Sequence, residues 1–257
     1  MARNAGARAA RGAVIAYTDD DVEAHPGWTA EIARPFADPT IDAVTGLVFP
    51  AGLRTQAQHY FQFALGGFGS GYQPVLFGPA FFAETAPRGA QVWRIGAGAN
   101  MAFRRTALEA LGLFDERLGA GAAGCSEDSE MWNRLLALGG ACLYEPRAVV
   151  FHHHRAEWRD LRRQMRAYMR GHVAALFVQH DRHRHAGNLK RIFWQLPSYL
   201  LGVGVRSALE GHPQRLSIWC EETVGWMVGL SYGWRARWRR DSALPQLAAL
   251  AGLRSAA

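Results

Sequence analysis

The sequence predicts an α/β fold, a mixed, mostly parallel sheet flanked by helices with a helical C-terminal region. Three observations predict it. Over the first 150 residues, β-rich apolar runs alternate with segments of helical periodicity, the order that builds parallel sheets. The chain has 257 residues and is 49% apolar, enough for a substantial core. Near residue 150 pattern and charge change together. Residues 1–150 hold 12 basic and 15 acidic side chains, whereas residues 151–257 hold 17 basic and 7 acidic.

Each element has its own warrant. Ala2 to Ala10 reads as a helix. The run Ala13-Val14-Ile15-Ala16-Tyr17 is a strand that stops at Thr18-Asp19-Asp20-Asp21. Pro26 suits the first turn of a helix in which Trp28, Ile32 and Phe36 share a face, ended near Asp38-Pro39. Asp42 to Phe49 is a second strand, closed by Pro50. From Arg54 to Arg94 aromatics are broken by glycine and proline, giving a helix and then irregular or hairpin structure. Gly96 to Asn100 leads into Met101 to Arg104, and Thr106 to Leu111 forms a short helix. Ser126 is placed to cap a helix whose first turn carries Glu127, Asp128 and Glu130 and whose buried stripe is Met131, Leu135 and Leu138. Gly139-Gly140 ends it, and Ala141 to His152 returns as a strand.

Two regions follow from this, 1–155 as an α/β domain and 156–257 as a basic amphipathic helical region. In the second, Trp158, Leu161, Met165 and Met169 recur at helical spacing beside many arginines. Leu196 to Val205 and Ile218 to Trp234 are apolar and aromatic, the latter interrupted by Glu221 and Glu222 and followed by Arg235, Arg237, Arg239 and Arg240. This composition suits interfacial contact with an anionic membrane or a buried helical hairpin rather than a span. Arginine supplies nearly all the basicity, Lys190 being the only lysine. Cys125, Cys142 and Cys220 are widely spaced without C-x-x-C, which argues against a disulfide framework or zinc ribbon and for reduced, cytoplasmic surroundings. The opening residues do not read as a secretory signal.

Three clusters could carry chemistry. Asp19-Asp20-Asp21 follows a strand directly, where open α/β sheets place ligands. Three adjacent carboxylates repel, so they either hold Mg²⁺ or Mn²⁺ on a diphosphate or form an acidic loop before the next helix. In an extended segment Asp19 and Asp21 would point to one side. Glu127-Asp128 at a helix start is either a general base toward a hydroxyl or ordinary first-turn charge. In His152-His153-His154 a period of two lets His152 and His154 share a face while His153 opposes them, so at most two enter one site unless the run is simply exposed.

As an ordered set these segments resemble family 2 of the GT-A-fold, Rossmann-like glycosyltransferases. The resemblance spans about residues 2–205. It rests on A-R-N-A-G at 2–6, T-D-D-D at 18–21, G-A-G-A-N-M-A-F-R-R at 96–105, G-L-F-D-E at 112–116, S-E-D-S-E at 126–130 and V-F-H at 150–152. It implies that Asp19 and Asp21, with His152, hold a divalent metal on the diphosphate of a nucleotide-sugar, with His154 a weaker candidate and Asp20 near the donor. It implies that Asp128 deprotonates the acceptor hydroxyl in an inverting transfer and that Glu127 orients acceptor or loop. Arg3 and Asn4 match donor-side positions, and Gly98, Asn100 and Arg104 belong to the acceptor-side segment.

In that family A-R-N follows the first strands of the nucleotide-binding unit, whereas here it begins at residue 2. The resemblance therefore implies a chain lacking part of the donor pocket, with a sheet edge left open and donor affinity reduced. The acceptor expected is a saccharide or a lipid-linked molecule of the cell envelope, with peripheral contact at the inner face of a membrane. The competing expectation is an inactive truncated remnant that binds membranes or a partner. Nucleic acid is not an expected partner, since high arginine content and a pI of about 9.8 come with no recognition module.

Overall fold

The computed structural model describes residues 2–69 and 71–239; Met1 and Arg240 lie outside them, as does the rest of the 156–257 region beyond residue 239. In chain order the elements are α1 (Ala2–Ala9), β1 (Val14–Thr18), β2 (Val22–Ala24), α2 (Trp28–Ala33), β3 (Ala43–Pro50), α3 (Gln56–His59), β4 (Val75–Phe77) and α4 (Pro79–Thr85). They continue with β5 (Asn100–Arg104), α5 (Arg105–Ala110), α6 (Glu127–Ala137), β6 (Cys142–His152), α7 (Trp158–His183), α8 (Ala186–Lys190), α9 (Leu196–Glu210) and α10 (Pro213–Ala236).

The six strands form one mixed sheet in the order β1-β5-β3-β6-β2, with β4 also on β6. The α/β class holds, but the parallel majority does not: only β3 and β6 pair in parallel, and every other pair is antiparallel. The order strand, helix, strand does make β1 and β3 run the same way. What it could not reveal is that β5 inserts between them in the opposite direction, satisfying both edges at once.

β6 serves three neighbours by bending. Its register with β3 shifts between Gly46 and Leu47, where the partners step from Glu145 to Val149. Before this bulge β6 also pairs with β4, and after it with β2. A Cβ on Gly46 would strike the Ala148 carbonyl and the Asn100 amide, so the bulge requires glycine there.

Helices cover both faces of the sheet. On one, Met131, Trp132 and Leu135 of α6 pack with Met101, Phe103 and Leu108. On the other, Ile32 of α2 and Phe36 pack with Val44, Ala102 and Ala148. Fully burying one such Leu, Phe or Met side chain contributes roughly 1.5–3 kcal/mol.

The C-terminal helices close on the sheet unit and on each other. Arg182 of α7 meets Asp115 at 2.8 Å and Glu130 at 3.1 Å, and Tyr232 of α10 donates to the Arg117 carbonyl at 2.7 Å. Burial raises the Asp115 carboxyl, but the Arg117 and Arg182 guanidiniums outweigh this and hold it at about 2. Along α10, Gly225, Gly229 and Gly233 recur every fourth residue against Met169, Val173 and Phe177 of α7. A Cβ on Gly229 would sit 2.7 Å from the Val173 Cβ. The Leu196 to Val205 segment lies within α9, which leaves Leu201, Val205 and Leu209 exposed. No helix among the described residues is long and apolar enough to cross a membrane.

Candidate active site

The acidic triplet is a turn, not an extended segment. It joins β1 to β2, a short strand that the residue pattern did not signal. Because β2 pairs with β6, Val22 stands opposite His152, and this sets Asp21 beside the histidine. Asp21 Oδ1 is 3.4 Å from His152 Nε2, and Asp21 Oδ2 is 3.2 Å from an Arg155 guanidinium nitrogen. Asp19 turns elsewhere and accepts from Arg3 Nη2 at 2.7 Å. Asp20 is exposed, with no hydrogen-bond partner among the described residues.

The alternation expected of the three histidines is present. His152 and His154 are buried and joined through their Nδ1 atoms at 3.0 Å, whereas exposed His153 meets Glu23 at 2.6 Å. Gln62 lies 3.0 Å from His154 Nε2, and Phe68 stands edge-on to His152. Burial lowers both buried imidazoles, His154 to about 4, while Asp21 opposes the shift at His152. Both are therefore neutral at pH 7, the form in which imidazole ligates a metal.

The second acidic cluster opens α6. Its start differs from expectation: Ser126 has left-handed backbone (φ 72°) and makes no side-chain cap, its hydroxyl lying 3.1 Å from Cys125 Sγ. A non-glycine residue held in that conformation is strained, and strain of this kind gathers at functional sites. Asp128 Oδ2 accepts from the Gly98 amide at 2.8 Å and Oδ1 from the Ser129 amide at 2.6 Å. Glu127 accepts from Arg3 Nη1 at 2.5 Å. Burial, then Asp128, pushes the Glu127 carboxyl up, and Arg3 resists.

Arg3 thus bridges the two acidic clusters, and it also donates to the Gly98 carbonyl at 3.3 Å. The guanidinium, Asp19, Gly98, Glu127 and Asp128 form one hydrogen-bonded network. Sequence reading placed Arg3 on the donor side only; its bridge to Glu127 joins residues 124 positions apart and has no local signal. Arg155 beside Asp21 was likewise missed.

Three expected site residues are spent on structure. Asn4 is buried, its amide donating to the Phe114 carbonyl and its oxygen accepting the Phe114 amide, which fixes α1 and hence Arg3. Asn100, expected toward the acceptor, donates to the Leu47 and Ala148 carbonyls and accepts from Trp28 Nε1, so its side-chain nitrogen is committed to the bulge and its oxygen to α2. Arg104 stands at the far end of β5 and donates to the Phe36, Asp38 and Ile41 carbonyls. Of the acceptor-side segment only Gly98 reaches the acidic network.

The Asp21 carboxylate suits Mn²⁺ or Mg²⁺, whereas the His152 imidazole is a donor of the kind softer divalent ions prefer, and the 3.4 Å between Asp21 Oδ1 and His152 Nε2 fits two donors of one ion. Asp19 is drawn toward Arg3 instead, and among the described residues no three His, Cys, Asp or Glu side chains are gathered into a metal-binding group.

The glycosyl transferase family group 2 matches residues 14–245, taking in both acidic clusters, the histidines and the C-terminal helices. The chain belongs to this glycosyltransferase family. Two curated relatives, the pre-mycofactocin glycosyltransferases of Mycobacterium tuberculosis strains CDC 1551 / Oshkosh and ATCC 25618 / H37Rv, are each 30% identical over 181 residues. Each alignment covers 70% of this chain and 35% of the relative, so the matched segment spans about a third of those proteins. The mixed sheet, its covering helices and the helical C-terminal part agree with the GT-A-like fold of a family 2 glycosyltransferase.

Proposed function

We propose that this family 2 chain moves a sugar from a nucleotide diphosphate donor to an acceptor hydroxyl, with inversion at the anomeric carbon. The observation that supports this best is the Arg3 bridge, which sets the Asp19 turn beside the Glu127-Asp128 pair. Asp128 takes the acceptor proton as the oxygen attacks opposite the leaving diphosphate. Two backbone amides hold its carboxylate, and of its roughly four acceptor positions the others remain for a hydroxyl. Glu127 orients the acceptor side through Arg3, and Asp20 lies with the donor.

Asp21 and His152 would hold Mn²⁺ or Mg²⁺, with Asp19 joining them only on leaving Arg3, and the ion when bound would supply positive charge against the leaving diphosphate. Isothermal titration of a nucleotide-sugar with Mn²⁺, together with turnover and NMR of the product anomer, tests the reading. Asp128→Asn should abolish transfer and keep donor binding. Retained turnover, or a product of retained configuration, would overturn it.

A second reading concerns location. The exposed row Trp194, Leu201, Val205 and Leu209, with Lys190 and Arg206 nearby in sequence, supports peripheral contact with an anionic membrane and hence a cell-envelope acceptor. Flotation with phosphatidylglycerol vesicles should carry the chain; absence from the vesicle fraction would refute this contact.

A further inference from the structure

Apart from the acidic network, the molecule has a cleft of about 1180 Å³ between the segment 56–65, the start of α7, and helices α9 and α10. Its walls are aromatic and aliphatic. Tyr60 packs against Trp158 with ring centroids 5.3 Å apart, and Val203 and Ile218 continue the surface. Phe63 stands 72% exposed at the lip. Exposed aromatic faces beside an open cleft mark a binding surface more often than a packing defect.

The cleft also carries polar groups of mixed character, Glu222, Arg215 and Glu210 together with Arg206, His59 and His212. Glu222 is buried, and its hydrogen-bond partner is the Tyr199 hydroxyl at the long distances of 3.4 and 3.5 Å. Burial pushes its carboxyl up to about 7 against the pull of Tyr199, so it can donate as well as accept. At the rim Arg215 is neutralised by Glu210 at 2.8 Å. A buried carboxyl with one weak partner, a compensated ion pair and the separate side chains of Arg206, His59 and His212 offer dispersed donors and acceptors, which suit several hydroxyl groups better than one ionic head.

The cleft is next to the candidate active site without being part of it. Consecutive residues of one turn face opposite ways: Tyr60 toward Trp158, and Phe61 toward His154 with ring centroids 4.8 Å apart. Phe61 and Phe68 form the partition, since Phe68 packs on His152.

We propose that this cleft is a second ligand site, taking an amphipathic, hydroxyl-bearing molecule whose apolar body lies on Tyr60, Trp158, Val203 and Ile218 and whose hydroxyl groups meet Glu222 and the Arg215–Glu210 pair. The binding stands apart from the transferase reading; only the cleft's role as an anchor for the acceptor rests on it.

Saturation-transfer NMR with octyl β-glucoside, below its micelle concentration, tests the site, with methyl β-glucoside as the chainless comparison. The octyl protons should receive saturation, and methyl β-glucoside should bind at least tenfold more weakly. Gly202 lines the cleft with open space around its Cβ, so Gly202→Trp should fill the cleft and remove the octyl signal. Ala208→Gln, exposed and outside the cleft on the same helix, should keep it. Glu222→Gln, which preserves shape, should weaken octyl β-glucoside binding about fivefold. An absent octyl signal, a signal undiminished in Gly202→Trp, or unchanged affinity in Glu222→Gln would overturn the proposal. Octyl binding should persist in Asp128→Asn. Failure of transfer with octyl binding intact would sink the transferase reading alone, and the converse would sink the cleft alone.

Discussion

The Gly98 amide donates to Asp128 Oδ2 at 2.8 Å, and a Cβ on Gly98 would lie 2.8 Å from that same oxygen. The glycine both orients the carboxylate and leaves room for it. Gly98→Ala should therefore displace Asp128 while the fold survives. The expected result is a 10- to 100-fold fall in kcat with an unchanged melting temperature, since a displaced base loses much of its contribution. Steady-state kinetics beside thermal unfolding checks this.

Arg3 holds Asp19 and Glu127 together, and each partner is partly solvent-screened. Arg3→Gln should cost about 1 kcal/mol of stability. In a Glu127→Gln background the same change should cost measurably less, because one of the two pairs is already gone. A double-mutant cycle by urea unfolding reads the coupling, and strictly additive losses would show that the bridge is energetically silent.

The glycines of α10 set how closely it approaches α7. With the Gly229 Cβ position only 2.7 Å from Val173 and 3.0 Å from the Arg170 carbonyl, Gly229→Leu should destabilise by about 3 kcal/mol. Gly202→Leu, on open space, should be near neutral. Denaturant midpoints of the two variants make the comparison.

Glu222 gives a pH signature. Burial raises its carboxyl from about 4.5 to about 7, so the folded state keeps the proton after the unfolded chain has released it. Its stabilising effect is complete below about pH 4.5 and is lost as pH rises to about 7, a contribution of roughly 3 kcal/mol. Glu222→Gln should remove that loss, so its stability relative to the parent should rise between pH 4.5 and 7 and then level off. Unfolding free energies at intervals across that window measure it.

Much of this molecule was readable in advance because strong periodicity survives folding. The strand through Val14 to Tyr17, the helix loaded with Glu127 and Asp128, and the alternation of His152 and His153 follow from local spacing. What escaped depends on partners distant in sequence. β2 has only three residues and gains its identity from pairing with β6. β5 looked like one more strand, yet its insertion between β1 and β3 decides the sheet's polarity. Asn100 and Arg104 carried the right residue types for binding, but nearby carbonyls claimed them. The spacing of Gly225, Gly229 and Gly233 was visible and could have signalled the close helix pair.

The bulge in β6 acts as a parity device. Three residues, 146–148, separate the partners of Gly46 and Leu47, an odd number in a structure whose side chains alternate by twos. Shortening or lengthening that excursion by one residue would exchange the faces of everything downstream. His153 would then turn inward toward Asp21, and His152 would point to solvent. Which imidazole serves the acidic turn is thus settled by a count made several residues earlier in the strand, not by the histidine run itself.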